Sequence, residues 1–256
     1  MLEELAEIIA IRYFGWNDPV EPHRIADDYN ITYSTADYGN DFDGLLMHRD
    51  GAFHIFINQA RQQTELRQRF TFCHELGHFF IDGHRTALAS GEVPYLSSFT
   101  NFSSESVVER EADFFASCLL LPRRRVISDY RHYHKFSFAI IDALSHKYQV
   151  SQTAVVYRLL YLDLHPMMVI KAQAGAIVSI LKSDDFYFYP RGKKDFIPDD
   201  SLMHAVLCGE RSSGTTDQLW IGDWFDTQNR DNEKMYEHCI YYRHIDTCYS
   251  ILWQQA

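Results

Sequence analysis

The sequence predicts an α+β fold in two parts, a mainly helical part followed by a small β-rich part. Three observations support this division. Apolar residues recur every three or four positions over residues 64–81 and 106–121, which is typical of helices packed on one face. The pair Asp50–Gly51 stands between two apolar runs and indicates a β-hairpin. After Met167, alternating and β-branched segments dominate, so the second part is expected to be rich in strands.

The boundary between the two predicted domains lies near residue 166, where a His-Pro pair follows the last helical pattern. Proline lacks the backbone N–H that a helix requires, so a helix is expected to stop before it. We therefore assign residues 1–165 to the first domain and residues 166–256 to the second.

Helices and one hairpin make up most of the first predicted domain. In chain order we expect helices over residues 2–14 and roughly 21–29, a hairpin over 44–57, a helix over 64–81, a loop over 82–104, a helix over 106–121 and two or three helices over 123–165. The breakers Gly15, Pro19 and Pro22 separate the first two helices, and Pro122 ends the helix before it.

Strands dominate the second predicted domain. We expect them over residues 168–173, 176–181, 186–189 and 249–253.

Composition and charge exclude some classes of protein. The net charge of -11 argues against a chain that coats nucleic acid over its whole surface. The N-terminal segment carries three acids before its first basic residue, unlike a secretory signal, and no apolar run approaches the roughly 18 residues of a membrane span. The 5 cysteines form no CxxC pair, which indicates reduced thiols in a cytoplasmic protein.

Residues 74–78 form an HExxH motif. His74 and His78 are four positions apart, about 400° around a helix, so their imidazoles project from one face. That arrangement suits two ligands of one tetrahedral zinc ion. Glu75 lies beside the first ligand, where it can accept a proton from an activated water and pass it to the leaving amine. We therefore predict Zn²⁺ at the two histidines, with Glu75 as the catalytic base.

The alternative interpretation of this motif is a helix with two polar histidines on its surface. Apolar residues surround the motif, and they favour a buried helix: Phe70, Phe72, Leu76, Phe79 and Phe80. A buried His-Glu-His cluster without a metal is costly to desolvate, so we prefer the zinc interpretation.

A catalytic zinc ion needs a third protein ligand and one open position. The next predicted helix offers Glu109, which shares a face with Asp113 one turn later. We predict Glu109 as the third ligand and Asp113 as the acceptor of a hydrogen bond from a ligand imidazole. Three alternatives stay open: Glu111, about 200° around the helix from Glu109; His84, beyond Gly83, where the first helix is expected to have ended; and a Glu109 that is simply an acid at a helix N-terminus.

Two long stretches resemble the ImmA/IrrE family of metallopeptidases. They are residues 69–81 (RFTFCHELGHFFI) and 109–122 (EREADFFASCLLLP), and residues 43–46 and 148–159 are also similar. The resemblance implies a gluzincin-like metallopeptidase core followed by a helix-turn-helix-like helical segment, both within the first domain. It leaves the β-rich second domain as a sensor or docking domain.

The chain is most similar to the CapP-type peptidases of bacterial anti-phage islands. This resemblance implies a zinc endopeptidase that cleaves a helix-turn-helix transcriptional repressor and so derepresses stress or defence genes. It further implies single-stranded DNA as the activator. Some CapP-like members hold the zinc latent with a cysteine between the two motifs, but residues 82–108 contain none. Ser97 and Ser98 stand where that cysteine would be expected.

Other features allow two interpretations each. The strand at residues 53–57 is either a sheet edge that binds substrate or part of an ordinary hairpin. Residues 122–147, with six basic and two acidic side chains, are either a basic docking surface or a solvated face. Residues 150–159 are either a DNA-recognition helix or a packed one. Residues 186–194 interleave aromatic and basic residues, as in a platform for single strands or in a plain β-domain core.

Two competing functions remain at this point. One is a non-enzymatic regulator that binds DNA or a repressor through the same scaffold. The presence of Glu75 counts against it, because a scaffold without catalysis would be free to lose the base. The other is a metallopeptidase with an unrelated protein substrate, which the sequence does not exclude.

Overall fold

The computed structural model describes residues 1–15, 19–60, 64–98, 106–191, 196–226 and 233–254. It mixes helices and strands, as an α+β fold requires. The chain forms two compact units. Unit 1 is Met1–His132 with Ile141–Arg158, and unit 2 is Tyr133–Ile140 with Leu159–Ala256.

Unit 1 contains a four-stranded sheet and most of the helices. Its strands are β1 (Thr32–Ala36), β2 (Gly44–Arg49), β3 (Ala52–Asn58) and β4 (Tyr95–Ser98). Its helices are α1 (Leu2–Phe14), α2 (Pro22–Asp28), α3 (Glu65–Phe80), α4 (Asp82–Ser90), α5 (Val107–Leu120) and α6 (Arg123–Tyr130), with the larger parts of α7 (Phe138–Tyr148) and α8 (Gln152–Tyr161).

The strand order in the unit 1 sheet is β1-β3-β2-β4. The predicted hairpin is confirmed: β2 and β3 are antiparallel, with Arg49 opposite Ala52. Asp50 and Gly51 both have positive φ, 52° and 79°, as a two-residue turn between twisted strands requires. The prediction that residues 53–57 form a sheet edge is wrong, because β3 pairs with β1 on one side and β2 on the other.

The prediction of a continuous loop over residues 82–104 is also wrong, because the segment contains a helix and a strand. Residues 82–90 form α4 and residues 95–98 form β4, while the end of the predicted loop lies outside the described residues. The helix was missed because it buries only His84 and Leu88, too few apolar positions to give a helical pattern. Gly91 ends it in the left-handed conformation, with φ of 76°.

Helices α3 and α5 form the centre of unit 1. Thr64 caps α3 by accepting a hydrogen bond from the backbone N–H of Arg67. Every residue of α3 from Thr71 to Phe80 is buried. At Gly77 the two helices come so close that an added Cβ would lie 3.2 Å from the backbone of Ala112. A glycine facing an alanine therefore sets the spacing between these helices.

Unit 2 is built on a five-stranded antiparallel sheet in the order β6-β5-β9-β8-β7. Its strands are β5 (Met167–Gln173), β6 (Ala176–Lys182), β7 (Thr215–Trp220), β8 (Lys234–Tyr242) and β9 (Thr247–Trp253), and its short helices are α9 (Leu202–Leu207) and α10 (Ile221–Trp224). The segment Tyr133–Ile140 belongs to this unit because Phe136 contacts Trp253 and Phe138 stacks on His238.

A buried carboxylate ties the helices of unit 2 to its sheet. Glu237 on β8 accepts hydrogen bonds from the backbone N–H groups of Leu202 and Met203, from the indole of Trp224 and from the hydroxyl of Ser250. The charge is fully buried, and these donors replace the water that it loses.

The strand predicted over residues 186–189 is wrong: the segment is irregular, and only Pro190 forms a bridge, to Phe225. Aromatic side chains in this segment nevertheless alternate between buried and exposed positions. Phe186 is buried, whereas Tyr187 and Tyr189 are 75% and 69% exposed. Among the described residues, no helix has both the length and the apolar character that a membrane span requires.

The close approach of α3 and α5 gives a first testable prediction. Gly77→Val should lower the free energy of unfolding by about 1–3 kcal/mol, because the new side chain would press against the α5 backbone. Gly83→Val on α4 is the matched control, since nothing lies within 4 Å of a Cβ at Gly83. Chemical denaturation followed by circular dichroism measures both. Equal effects of the two substitutions would contradict the assigned helix spacing.

Candidate metal centre

Three side chains from α3 and α5 converge in unit 1. His74 and His78 lie one turn apart on α3 and are buried, and Glu109 on α5 faces them. The two Nε2 atoms are 3.0 Å apart. The carboxylate oxygens of Glu109 lie 3.2 Å from Nε2 of His74 and 3.4 Å from Nε2 of His78.

These separations fit a bound metal ion. Ligand atoms about 2.0 Å from one tetrahedral zinc ion are about 3.3 Å from each other, close to all three observed distances. Two imidazole nitrogens and a carboxylate are also a donor set found in catalytic zinc sites. His74, His78 and Glu109 are thus a group that could hold a metal ion.

Asp113 lies on the far side of the first histidine. Its Oδ1 is 2.8 Å from Nδ1 of His74, so the imidazole can donate its Nδ1 proton to the carboxylate. That hydrogen bond fixes the tautomer in which Nε2 is free to act as a ligand. The structure places Asp113 where the helical spacing from Glu109 predicts it.

The two other candidates for the third ligand lie together, outside the group. His84 is in α4, not beyond the helical part of the chain, and its Nδ1 is 3.1 Å from Nδ1 of His78. Glu111 points away from the converging atoms, and its Oε2 is 3.2 Å from Nε2 of His84. Neither side chain is part of the group formed by His74, His78 and Glu109.

Glu75 is fully buried beside this group. Its Oε1 accepts a hydrogen bond of 2.7 Å from the hydroxyl of Ser98, the last residue of β4. Its Oε2 has no hydrogen-bond partner among the described residues. A Cβ at Gly44 would collide with Oε1 and with the methyl group of Thr71, so a larger residue at this point of β2 would displace the carboxylate. The carboxylate is therefore held on one side and has a free acceptor on the other.

Burial and hydrogen bonding set the charges of the group. Burial would lower the pKa of His74, but hydrogen bonds with Asp113 and Glu109 outweigh it and raise the pKa to about 10. Burial lowers the pKa of His78 to about 4. Burial would raise the pKa of Glu109, but hydrogen bonds with both histidines lower it to about 2. Glu109 is therefore an anion, and a divalent cation would replace the proton that it shares with His74.

Glu75 differs from Glu109 in its surroundings. Burial raises the pKa of Glu75 to about 7, against the opposing effects of His74 and of the Ser98 hydroxyl. A carboxyl group with a pKa near neutrality is suited to accept and release protons at physiological pH.

Sequence reasoning missed Ser98 and Gly44 as neighbours of Glu75. The Gly44 contact depends on the packing of β2 against α3, and the Ser98 contact depends on the pairing of β2 with β4, in which Gly44 lies opposite Ser98. Short strands separated by about 50 residues carry no local signal for such a pairing. It also missed the contacts of His84, because α4 was not expected.

The basic segment at residues 122–147 keeps five of its six cations at the surface. Arg125 is buried over the ring of Tyr148, whereas the other five are exposed: Arg123, Arg124, Arg131, Lys135 and Lys147. Arg123 lies 3.5 Å from Glu3, Arg124 lies 3.8 Å from Glu7, and Lys147 lies 2.6 Å from Asp129. Exposed ion pairs of this kind leave much of the positive charge facing solvent. The structure is therefore compatible with both interpretations of the segment, a basic docking surface and a solvated face.

Helix α8 is packed rather than presented as a DNA-recognition helix. Of its residues, only Tyr161 is exposed. Arg158, its one basic residue, is buried and donates to Glu3 and to the carbonyl of Leu121. Gln152 donates to Asp142. The packed alternative is thus favoured for this segment.

Comparisons with known proteins identify a family and solved structures of similar fold. The profile of a peptidase family, M78, described as the IrrE N-terminal-like domain, matches residues 26–160, just over half of the chain. No curated protein matches the chain. A solved structure described as a Mycobacterium tuberculosis transcriptional regulator is similar, with a TM-score of 0.62 and 13% identity over 99% of this chain and 76% of that one. At that identity the similarity concerns the fold alone.

The geometry of the centre predicts different effects for two acids on α5. Glu109→Ala should remove most of the bound metal, because it deletes one of three converging ligands. Glu111→Ala should still bind one equivalent at saturating zinc, because this carboxylate contacts His84 instead. Metal analysis after gel filtration measures both. Loss of zinc in Glu111→Ala with retention in Glu109→Ala would contradict the assignment.

Proposed function

Since the chain belongs to the IrrE N-terminal-like family of peptidases, we propose that it is a zinc-dependent regulatory endopeptidase. Its substrate is a helix-turn-helix transcriptional repressor, whose cleavage derepresses stress or anti-phage defence genes. The observation that carries the proposal is the convergence of His74, His78 and Glu109, with the carboxylate of Glu75 beside them.

In this proposal His74, His78 and Glu109 hold the zinc ion. When bound, zinc polarises the scissile carbonyl and makes a water molecule more acidic. Glu75 accepts the proton of that water through Oε2, the oxygen that has no partner among the described residues. Glu75 then delivers the proton to the amine that leaves. Ser98 keeps Oε1 occupied during both transfers, so one oxygen of the base is always the one that exchanges protons.

The edge strand β4 is the proposed binding site for the substrate chain. Among the described residues β4 pairs only with β2, so its outer edge offers backbone N–H and C=O groups to another strand. Its last residue, Ser98, contacts Glu75 directly. A peptide added to this edge in extended form would therefore run past the catalytic base. This assignment replaces β3, which is internal to the sheet.

The family of the chain and a solved structure of similar fold support a repressor as the substrate. The similar solved structure is described as a transcriptional regulator, which associates this fold with gene control. The packed α8, whose one basic residue Arg158 is buried, offers little surface for reading a DNA duplex. Both points favour regulation through cleavage of a DNA-binding partner over direct binding of an operator.

Single-stranded DNA is the proposed activator, and unit 2 is its proposed sensor. Tyr187 and Tyr189 project outward with most of their surface exposed, and the amine of Lys182 lies 4.8 Å from the centre of the Tyr189 ring. Exposed rings beside cations suit the stacking of unpaired bases. The basic residues 193 and 194 of the same motif lie outside the described residues.

A reducing, intracellular setting fits the cysteines. None of the 5 forms a disulfide, and all except Cys208 are buried. Burial raises the pKa of Cys73 to about 12, so the thiol next to His74 is a neutral core residue. We therefore place the proposed peptidase in the cytoplasm, together with its repressor.

The direct test of the proposed function uses Glu75→Gln. The purified protein is incubated with a candidate helix-turn-helix repressor from the same genome, with and without short single-stranded DNA. Glu75→Gln should keep its zinc, because no ligand is lost, and should slow cleavage by about 10²–10⁴-fold, because the base is lost. His74→Ala is the control that loses both zinc and activity.

Two results would contradict the proposal. Cleavage by Glu75→Gln at the wild-type rate would exclude the assigned base. Specific binding of the repressor without cleavage under any condition, in protein that contains zinc, would instead support a non-enzymatic regulator. Cleavage of an unrelated protein alone would leave the chemistry in place and replace the substrate.

The proposed sensor gives a separate prediction. Replacing Tyr187 and Tyr189 together by alanine should weaken binding of single-stranded DNA by about 10-fold or more, since each stacked base contributes about 1–3 kcal/mol. Tyr161→Ala is the matched control, a tyrosine 56% exposed on α8. Fluorescence anisotropy with a labelled oligonucleotide measures the affinity. Unchanged affinity in the double variant, or an equal loss in the control, would exclude this platform.

A further inference from the structure

We propose that His84 and Glu111 are positioning residues that orient the imidazole of His78 and strengthen its binding of zinc. The inference rests on the proposed zinc site and assigns a role to two residues outside the group of three ligands. It is carried by a continuous row of contacts from His78 through His84 to Glu111.

The two nitrogens of His78 face different neighbours. Nε2 faces the convergence point, 3.4 Å from Glu109 and 3.0 Å from His74. Nδ1 faces the opposite way and lies 3.1 Å from Nδ1 of His84. When Nε2 serves as a metal ligand, the neutral ring carries its proton on Nδ1. His78 therefore donates that proton to Nδ1 of His84.

This donation fixes the protonation of His84 as well. A neutral histidine that accepts at Nδ1 carries its own proton on Nε2. Nε2 of His84 lies 3.2 Å from Oε2 of Glu111, so the ring donates to that carboxylate. Every polar hydrogen in the row then points towards an acceptor.

The burial of His84 distinguishes this row of contacts from an ordinary ion pair at the protein surface. His84 is 7% exposed and lies between a buried imidazole and a carboxylate that is 43% exposed. If His84 only filled space beneath α4, its Nδ1 would have no reason to face Nδ1 of the proposed ligand His78. Here the charge of Glu111 stays in contact with water while its effect reaches His78 through the ring between them.

Each of the two proposed ligand histidines is thus linked to a carboxylate through its outward nitrogen, one directly and the other indirectly. His74 donates directly to the carboxylate of Asp113 at 2.8 Å. His78 reaches a carboxylate only through His84. Removing Glu111 should therefore weaken zinc binding less than removing His84, and the effect of Glu111 should depend on the presence of His84.

Zinc affinity, measured by competition with a chromophoric chelator, tests this assignment. His84→Ala should weaken zinc binding by about 10–100-fold, the usual effect of losing a partner behind a ligand histidine. Glu111→Gln, which keeps an acceptor but loses the charge, should give a smaller loss. His84→Asn should restore much of the affinity lost in His84→Ala, because its side-chain oxygen can take the place of Nδ1 as acceptor.

The decisive comparison is a double-mutant cycle. In the His84→Asn background, Glu111→Gln should cause no further loss, because asparagine is too short to reach Glu111. Asp82→Asn is the control and should leave zinc affinity unchanged, because Asp82 is exposed on the same helix and, among the described residues, pairs only with Arg85. Thermal melting of the metal-free variants checks that folding is intact.

Two outcomes would overturn the inference. One is unchanged zinc affinity in His84→Ala, and the other is additive effects of Glu111→Gln and His84→Asn. Failure of the proposed function would look different: wild-type protein that binds no zinc would lack the site itself, whereas protein that shows these zinc affinities but cleaves no substrate would keep the role of His84 and lose only the proposed activity. A general loss of structure would appear in the melting curves of the metal-free protein.

Discussion

The close packing of α3 against α5 is the constraint on which the rest of unit 1 depends. Gly77 faces Ala112 without room for a further methyl group, and this contact fixes how far the second helix stands from the first. Only at that distance does the carboxylate of Glu109 reach both histidines of α3. The sheet adds the second constraint, because Gly44 leaves space for Glu75 and Ser98 holds it. The geometry of the site therefore depends on the small residues Gly77, Ala112 and Gly44 as well as on its polar side chains.

Buried charge favours a metal centre over a stabilising cluster as the role of this arrangement. The group combines two buried imidazoles with carboxylates that have lost much of their water, which is costly unless a compensating charge is present. Asp113 and the row from His84 to Glu111 satisfy the outward nitrogens of the two rings. Within the described part of the chain, the inward Nε2 atoms of His74 and His78 and the carboxylate of Glu109 face one another, and a divalent cation would compensate them best.

Much of this site follows from local sequence, and the remainder depends on contacts between distant segments. The HExxH spacing and the position of Asp113 one turn after Glu109 are properties of single helices, so the periodicity predicts them. Helix α4 has too few buried positions to be recognised, and His84 could not be placed without it. The roles of Ser98 and of β3 as an inner strand depend on strand pairing, which no single segment encodes. Burial of α8 likewise arises from its neighbours, such as Glu3 against Arg158.

X-ray absorption at the zinc edge of the purified protein tests the central claim most directly. The account predicts one zinc ion with two imidazole ligands and oxygen ligands at about 2.0–2.2 Å, and no sulfur. Sulfur scattering at about 2.3 Å would contradict it, because every cysteine lies outside the group formed by His74, His78 and Glu109. The absence of bound zinc from protein reconstituted with the metal would contradict it equally.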